Sequence, residues 1–378
     1  MPSLDRRRFL LTSAAAIPLA QFLRAQQPSE PGRIVRMTSP QNLETNFANL
    51  NGLITPTDSF YIRNHFAAPT INRSAWRLKV EGAVDRPLDL TLAEVQNLGN
   101  DKRPITLECA GNGRVFLTPA AKGVNWQLGA VGTAEWTGVA LSTLLEKAGV
   151  KKEAVEVILE GADSGTVADP ASPGPIHFAR SLPLEKAKKP EVLLAWQMNG
   201  KDLPPPHGAP LRAIIGGWYG MASVKWLTRI IVSDRPFRGF FQSLDYSYFD
   251  RSHGLPNVMA ITAIQVKSQI ARPALGDQIA TNKPTKITGA AWAGEADVTK
   301  VEVSTDGGKH WDEAALLGDK NPFCWRLWEY EWKSPAAGKA VLMSRASDSQ
   351  GRTQSMKRNP DYRNYMISHV LPLEVEVK

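Results

Sequence analysis

The densest chemical signal in the chain is one ten-residue stretch, Ile105-Thr106-Leu107-Glu108-Cys109-Ala110-Gly111-Asn112-Gly113-Arg114. A β-like run delivers Cys109 into a turn of small residues, and Arg114 follows five positions later. Ala110 and Gly111 would let a bulky ligand approach the backbone. A nearby cation favours the thiolate, the form of cysteine that binds soft metals. The stretch offers Cys109 as a metal ligand or a nucleophile; a structural cysteine buried beside glycines would read the same way. With two cysteines in the chain, neither zinc nor iron–sulfur ligand spacing is present, and no Cys-x-x-Cys-His run attaches a haem. The pair could instead form one disulfide, Cys109 to Cys324, if the protein is exported. If Cys109 holds a metal, Cys324 becomes a small buried hydrophobe among Phe323, Trp325 and Trp328.

The elements that must carry these residues divide the chain. Its 378 residues exceed what one hydrophobic core usually serves. Residues from about 26 to 75 read as irregular and rich in Asn, Pro and Thr, with one extended stretch at Phe60-Tyr61-Ile62. Beyond them, strands and short helices alternate. Thr91 can cap a helix in which Leu92, Val95 and Leu98 share a face. Leu141 to Ala148 repeats that pattern, with Gly149 at its carboxyl end. Val155 to Leu159 reads as a strand. This mixture predicts an α+β domain. Past about Asn257 the pattern becomes short strands with hairpin turns at Asp306-Gly307-Gly308 and Asp348-Ser349-Gln350-Gly351, which predicts a β-sandwich. A linker near 250–258 separates the two, giving expected domains of 26–255 and 256–378.

The formal charge of +8 excludes less than it suggests. Residues 1–25 hold Arg6, Arg7, Arg8 and Arg24 against Asp5, a net +3, which leaves +5 for the rest. The remaining basic residues are scattered, with short pairs such as Lys151-Lys152 and Lys188-Lys189. Tracking a nucleic acid needs a continuous basic face, so none is expected as a partner. A modest positive field favours small anions. At the amino terminus, Asp5-Arg6-Arg7-Arg8-Phe9-Leu10-Leu11 precedes a short apolar run ending near Ala20. It is too short to span a bilayer and resembles a twin-arginine export signal over 1–25, which implies a periplasmic location for a protein exported already folded.

Five segments in one order give the Cys109 stretch its context. It resembles the cysteine motif of the sulfite oxidase family, whose cysteine ligates molybdenum beside the dithiolene of a pyranopterin. Tyr61-Ile62-Arg63-Asn64-His65 resembles the family's upstream Arg-Asn-His motif. His207-Gly208-Ala209-Pro210-Leu211-Arg212 and Ser223-Val224-Lys225-Trp226-Leu227 resemble its cofactor-binding pair. Val301 to Trp311 resembles the start of its immunoglobulin-like dimerisation domain. The resemblance runs from about residue 45 to near the carboxyl end. It implies a sulfite oxidase-type molybdopterin domain followed by an all-β immunoglobulin-like sandwich, a homodimer, and one molybdenum per chain on Cys109.

The carried-over residues make chemical sense. A pterin phosphate and fused ring need cations and donors, which Tyr61, Asn64, His65, His207, Arg212, Ser223, Val224 and Lys225 would supply. Asp163 matches a family carboxylate that accepts from the pterin, with Asp169 as its neighbouring competitor. Arg63 and Arg114 match the arginines that hold sulfite and sulfate oxygens. Trp126 matches the aromatic wall, and Tyr246 the phenol near the transferred oxygen. Gly113 departs from the pattern, standing where vertebrate members have another arginine, and Arg363 is the nearest match to a third substrate arginine. The activity implied is oxygen-atom transfer to sulfite, with electrons leaving to an external acceptor such as cytochrome c and no haem in this chain. Alternatives are oxidation of protein-bound sulfane sulfur in a larger complex, and reduction of a substrate such as a sulfoxide. A further one, from another class, is a cofactor-free immunoglobulin-type binding protein with a Cys109–Cys324 disulfide.

Overall fold

The computed structural model describes residues 29–30, 32–333 and 335–378. The expected export signal lies outside them. No helix among the described residues is long and apolar enough to cross a membrane.

Two five-stranded sheets build the amino-terminal unit. One runs in the order Lys201–Asp202, Val192–Met198, Val131–Ala140, Asp101–Glu108, with Arg212–Ile215 also paired to Val192–Met198. The other runs Leu88–Thr91, Arg77–Gly82, Leu227–Ser233, Glu156–Gly165, Ile176–Pro183. Val131–Ala140 and Val192–Met198 are buried along nearly their whole length, as expected of central strands covered on both faces. The helices Leu92–Gln96, Leu141–Ala148 and Leu184–Ala187 are only 5, 8 and 4 residues long. The α+β expectation is corrected to a mostly β unit. The local helix signals were sound: Thr91 and Glu94 form a reciprocal capping box, and Gly149 closes Leu141–Ala148 at φ +71°. They mark short connectors rather than a helical layer.

The stretch read as irregular also contains strands, Arg33–Met37 and Asn42–Thr45. Asn42–Thr45 is buried at every position, although two of its side chains are strongly polar. The Glu44 carboxylate accepts from the Gln127 and Gly129 amides at 3.1 and 2.7 Å and pairs with Arg36. A strand buried through polar contacts leaves no hydrophobic alternation to read.

The carboxyl-terminal unit is two facing sheets. One orders Lys267–Arg272, Thr285–Trp292, Arg326–Trp332, Ala315–Leu317; the other Gln278–Ile279, Leu373–Val377, Gly338–Asp348, Val298–Ser304, Asp312–Glu313. Ile270, Ile287 and Trp328 from the first meet Val301, Leu342 and Val375 from the second in one core. The segment expected as a linker is the tip of a hairpin, Ser247–Asp250 with Asn257–Ala260.

The two units are bonded directly at the cysteine strand. The Thr106 amide donates to Phe323 O at 3.0 Å, the Trp325 amide to Thr106 Oγ1 at 2.8 Å, and the Met366 amide to Ala110 O at 2.7 Å. Cys324 is part of this seam. Its thiol donates to Pro104 O at 3.0 Å, and burial pushes its pKa up to about 12. Both cysteines are free, which overturns the Cys109–Cys324 disulfide.

Candidate active site

Cys109 follows the strand Asp101–Glu108 and begins a closed turn. Its amide donates to Ala130 O at 2.8 Å, and the Asn112 amide returns to Cys109 O at 2.8 Å. The Asn112 side chain accepts from the Ala130 amide at 3.1 Å. Cys109 is buried and faces a cavity to which three chain segments contribute most of the wall.

The first segment is 61–65. Tyr61, Arg63, Asn64 and His65 all line the cavity. Asn42 holds this segment in place, its Oδ1 accepting from the Asn64 amide at 3.0 Å and from Arg63 at 3.4 Å. Arg63 also donates to Asn64 O. The second and third segments are the loops bearing His207 and Arg212, and Ser223 and Lys225. Arg212 ties them together by donating to His207 O at 2.9 Å and Ser223 O at 3.0 Å. Lys225 donates to Asn64 Oδ1 and to Pro206 O at 2.9 Å, and lies 4.1 Å from the Trp226 ring centroid.

The electrostatics of this wall call for an anion. Burial, followed by repulsion from Arg212, holds the Lys225 ammonium well below the ordinary lysine range. Burial alone brings Arg212 down to about 10. His207 is lowered to about 3, by burial first and by Arg212 and Lys225 next. Asp163 also lines the cavity; burial lifts its carboxyl to about 6 although Lys225 pulls the other way. Its competitor Asp169 pairs with Lys122 on the surface. Three cations, several neutral donors and one carboxyl suit a ligand with a phosphate and a polar ring edge. Among the described residues, no three His, Cys, Asp or Glu side chains cluster as metal ligands. A metal here would take Cys109 from the protein and its remaining ligands from the organic group, so the residues fit a molybdopterin.

A phenol completes the cavity. Tyr246 lines it, with His65 Nε2 at 2.6 Å from its hydroxyl. Burial raises the phenol's pKa and, with help from Arg63, Lys225 and Arg180, holds His65 well below 6.5. Tyr365 lies against Tyr246, centroids 4.8 Å apart, and donates to Asp245.

Three expected site residues do not line this cavity. Arg114 is engaged by backbone, donating to Val124 O at 2.7 Å and Asn364 O at 3.2 Å with its guanidinium 5.2 Å from the Tyr365 ring. It also fills the space beside Gly111, where an added Cβ would fall 2.3 Å from its Nη2. That space was expected to serve a ligand. Trp126 is fully buried in the core cluster that includes Cys109, and its indole N–H has no partner among the described residues. Val224 is buried, and its carbonyl accepts from the Ala213 amide at 2.8 Å. Arg363, the nearest match to a third arginine, donates to Ser247 Oγ at 2.6 Å and is also off the cavity wall.

Sequence reasoning missed Arg180 and Phe178. Phe178 stacks on His65 at 4.4 Å. Arg180 is fully buried 6.0 Å from the Tyr246 ring, donates to Phe241 O and to Ile261 O at 2.7 Å, and is brought down to about 10 by burial. The available signal was an arginine between Phe178 and Leu182 on the inward face of a strand.

The comparisons with known proteins agree with this chemistry. Residues 65–241 match an oxidoreductase molybdopterin binding domain, and residues 258–367 a Mo-co oxidoreductase dimerisation domain. The sulfite oxidase of Gallus gallus is 34% identical over 361 residues, covering 90% of this chain and 77% of that protein. Mitochondrial sulfite oxidase of Homo sapiens is 35% identical over 309 residues, covering 76% of this chain; the chain spans just over half, 54%, of its length. The crystal structure of the sulfane dehydrogenase SoxCD from Paracoccus pantotrophus superposes with a TM-score of 0.78 at 26% identity, covering 100% of this chain and 93% of that one. The chain is a molybdopterin oxidoreductase and belongs to the sulfite oxidase family.

Proposed function

We propose that this enzyme oxidises sulfite to sulfate, adding one oxygen that derives from water and releasing two electrons and two protons. Carrying the reading is the sharing of one buried cavity by Cys109, Arg63 and Tyr246 with the cationic wall of Arg212 and Lys225. The molybdopterin, when bound, supplies the transferable oxygen and takes up the two electrons. Cys109 would be its protein ligand to molybdenum, one metal per chain. Arg212 and Lys225 would neutralise the pterin phosphate, and Asn64, His207 and Ser223 would bond polar edges. Asp163, protonated below about pH 6, can donate to the ring as well as accept. Arg63 would hold the sulfite oxygens, and the Tyr246 hydroxyl, kept protonated by burial, would donate to the oxygen in transit.

We read the second unit as an immunoglobulin-like dimerisation domain of a homodimer, the amino terminus as a twin-arginine signal to the periplasm, and the electron acceptor as an external cytochrome c. A second reading has a specific observation behind it. Arg114 is engaged by backbone carbonyls, leaving Arg63 as the member of that expected pair on the cavity wall. A site with less positive charge suits a less charged sulfur compound, such as a protein-bound sulfane.

The deciding experiment is molybdenum content by mass spectrometry, paired with sulfite-dependent reduction of cytochrome c or ferricyanide. About one molybdenum per chain with turnover, both lost in Cys109→Ser, is the expected result. Molybdenum with no sulfite turnover, but turnover on a persulfide carrier, moves the substrate to sulfane sulfur. Protein from a molybdenum-replete host that holds no molybdenum overturns the cofactor reading.

A further inference from the structure

We propose that Lys267 and Trp292 of the carboxyl-terminal unit are positioning residues for Cys109, acting through the carboxylate of Glu108. The inference rests on Cys109 being the protein ligand to molybdenum. Side chains of neighbouring strand residues point to opposite faces. Cys109 faces the cavity, and Glu108 faces the second unit. Both groups of the Glu108–Lys267 pair are almost fully buried, at 2% and 1% exposure.

Each carboxylate oxygen of Glu108 is claimed from across the seam. Lys267 Nζ donates to Oε1 at 2.9 Å, and Trp292 Nε1 donates to Oε2 at 2.8 Å. The strand Lys267–Arg272 also grips the far side of the cysteine turn. Lys267 donates to Asn112 O at 3.3 Å, and Gln269 Oε1 accepts from Asn112 Nδ2 at 3.2 Å. Asn112 Nδ2 in turn reaches Glu108 Oε1 at 3.1 Å. Residues 108 and 112 bracket Cys109, and both are fixed by side chains more than 150 positions away in the chain.

A buried ion pair is a poor source of net stability, since desolvation offsets most of its attraction. An apolar pair of similar size would close this seam at no electrostatic cost. What the charged pair adds is direction: a two-oxygen acceptor with a donor on each oxygen fixes the rotation of the strand end. That rotation sets where the Cys109 sulfur points. The second unit therefore shapes the metal's protein ligand as well as offering a surface for pairing.

The test uses the purified holoenzyme and two variants. Glu108→Gln/Lys267→Met removes both charges together, so no unpaired buried charge remains. Trp292→Phe removes a single donor and keeps an aromatic ring. Molybdenum content, the electron paramagnetic resonance g values of the one-electron-reduced metal, kcat and KM are measured on each. We expect shifted g values and a kcat lowered about tenfold or more, with KM little changed, as for a displaced reacting group. Loss of molybdenum from a variant with wild-type circular dichroism supports the proposal as well, because the ligand is no longer presented. Lys286→Met, at an exposed pair with Glu329 in the same unit, should leave every readout at wild-type values. Wild-type g values and kcat in a folded, molybdenum-loaded Trp292→Phe and in the double variant would overturn the proposal. Wild-type protein from a molybdenum-replete host that holds no molybdenum would instead remove the Cys109 reading on which it stands.

Discussion

His65 Nε2 and the Tyr246 hydroxyl lie 2.6 Å apart at the cavity wall, although 181 positions separate them in the chain. Phe178 stacks on the imidazole and Tyr365 packs tilted against the phenol, so both rings are hemmed in. Burial with Arg63, Lys225 and Arg180 holds the imidazole well below its ordinary 6.5 and so favours its neutral form, and burial favours the protonated phenol. On the proposed function the unit would serve as a neutral donor and not as a titrating base. Tyr246→Phe should lower kcat about 10- to 100-fold while molybdenum content stays constant. The wild-type kcat profile should show no inflection near pH 6.5 assignable to His65. An inflection there that disappears in His65→Asn would mean the imidazole titrates.

Arg63 and Arg114 should separate cleanly by what their loss affects. Arg63 lines the cavity, and a charge-assisted hydrogen bond to an anion is worth about 1.5–3 kcal/mol. Arg63→Met should therefore raise KM for sulfite about 10- to 100-fold. Arg114 instead closes the gap between the Val124 and Asn364 carbonyls. Arg114→Met should leave KM nearly unchanged and cost about 1–3 kcal/mol of stability, read as a lower melting temperature. A raised KM with an unchanged melting temperature would put Arg114 on the substrate.

How far the sequence discloses this site depends on how each residue is held. Cys109, Arg63, His65, Arg212 and Lys225 sit in short motifs whose order is visible along the chain, and the fold brings them to one cavity. The capped helices at Thr91 and Gly149 are local signals and were legible for that reason. Arg114 was expected at the substrate; its partners here, Val124 O and Asn364 O, are backbone atoms, one of them 250 positions away, which no local motif announces. Glu44 and Arg180 likewise owe their burial to distant carbonyls and amides, which leave no periodicity. Helix content was overestimated because an amphipathic pattern of eight residues looks alike in a connector and in a layer.

Asp163 gives the cofactor-free chain a pH signature. Its carboxyl binds a proton more tightly folded, at about 6, than at its ordinary 3.8. The folded state therefore keeps full stability below about pH 4 and loses some as pH rises toward 6, by up to about 3 kcal/mol. Lys225 works in the opposite sense: its folded pKa lies below 10.5, so stability returns as pH rises toward that value. Urea unfolding of wild type and Asp163→Asn at pH 4, 5 and 6.5 checks the first effect. The advantage of the variant should widen over that range. Parallel curves would show that the carboxyl ionises as it does in water.

Gly113 bears on whether the missing arginine can simply be restored. It sits at φ +94°, ψ +6°, the left-handed conformation that starts the turn Arg114–Phe116. An added Cβ would lie 3.0 Å from Ile367 Cγ2, in the carboxyl-terminal segment that bonds to Ala110 through Met366. A non-glycine residue held in this conformation costs about 1–2 kcal/mol before any contact is counted. The side chain would also have to push Ile367 out of a well-packed seam. Gly113→Arg should lower the melting temperature and leave KM for sulfite within about twofold of wild type, since a side chain built there starts out against Ile367 and Leu371, which do not line the cavity. Gly113→Ala, which carries the strain without the charge, should show most of the same loss. A variant with wild-type melting and a KM reduced tenfold would mean that the turn relaxes and that the charge reaches the substrate. The charge deficit at this site would then be set by the one side chain at position 113, and no longer by the backbone that presents it.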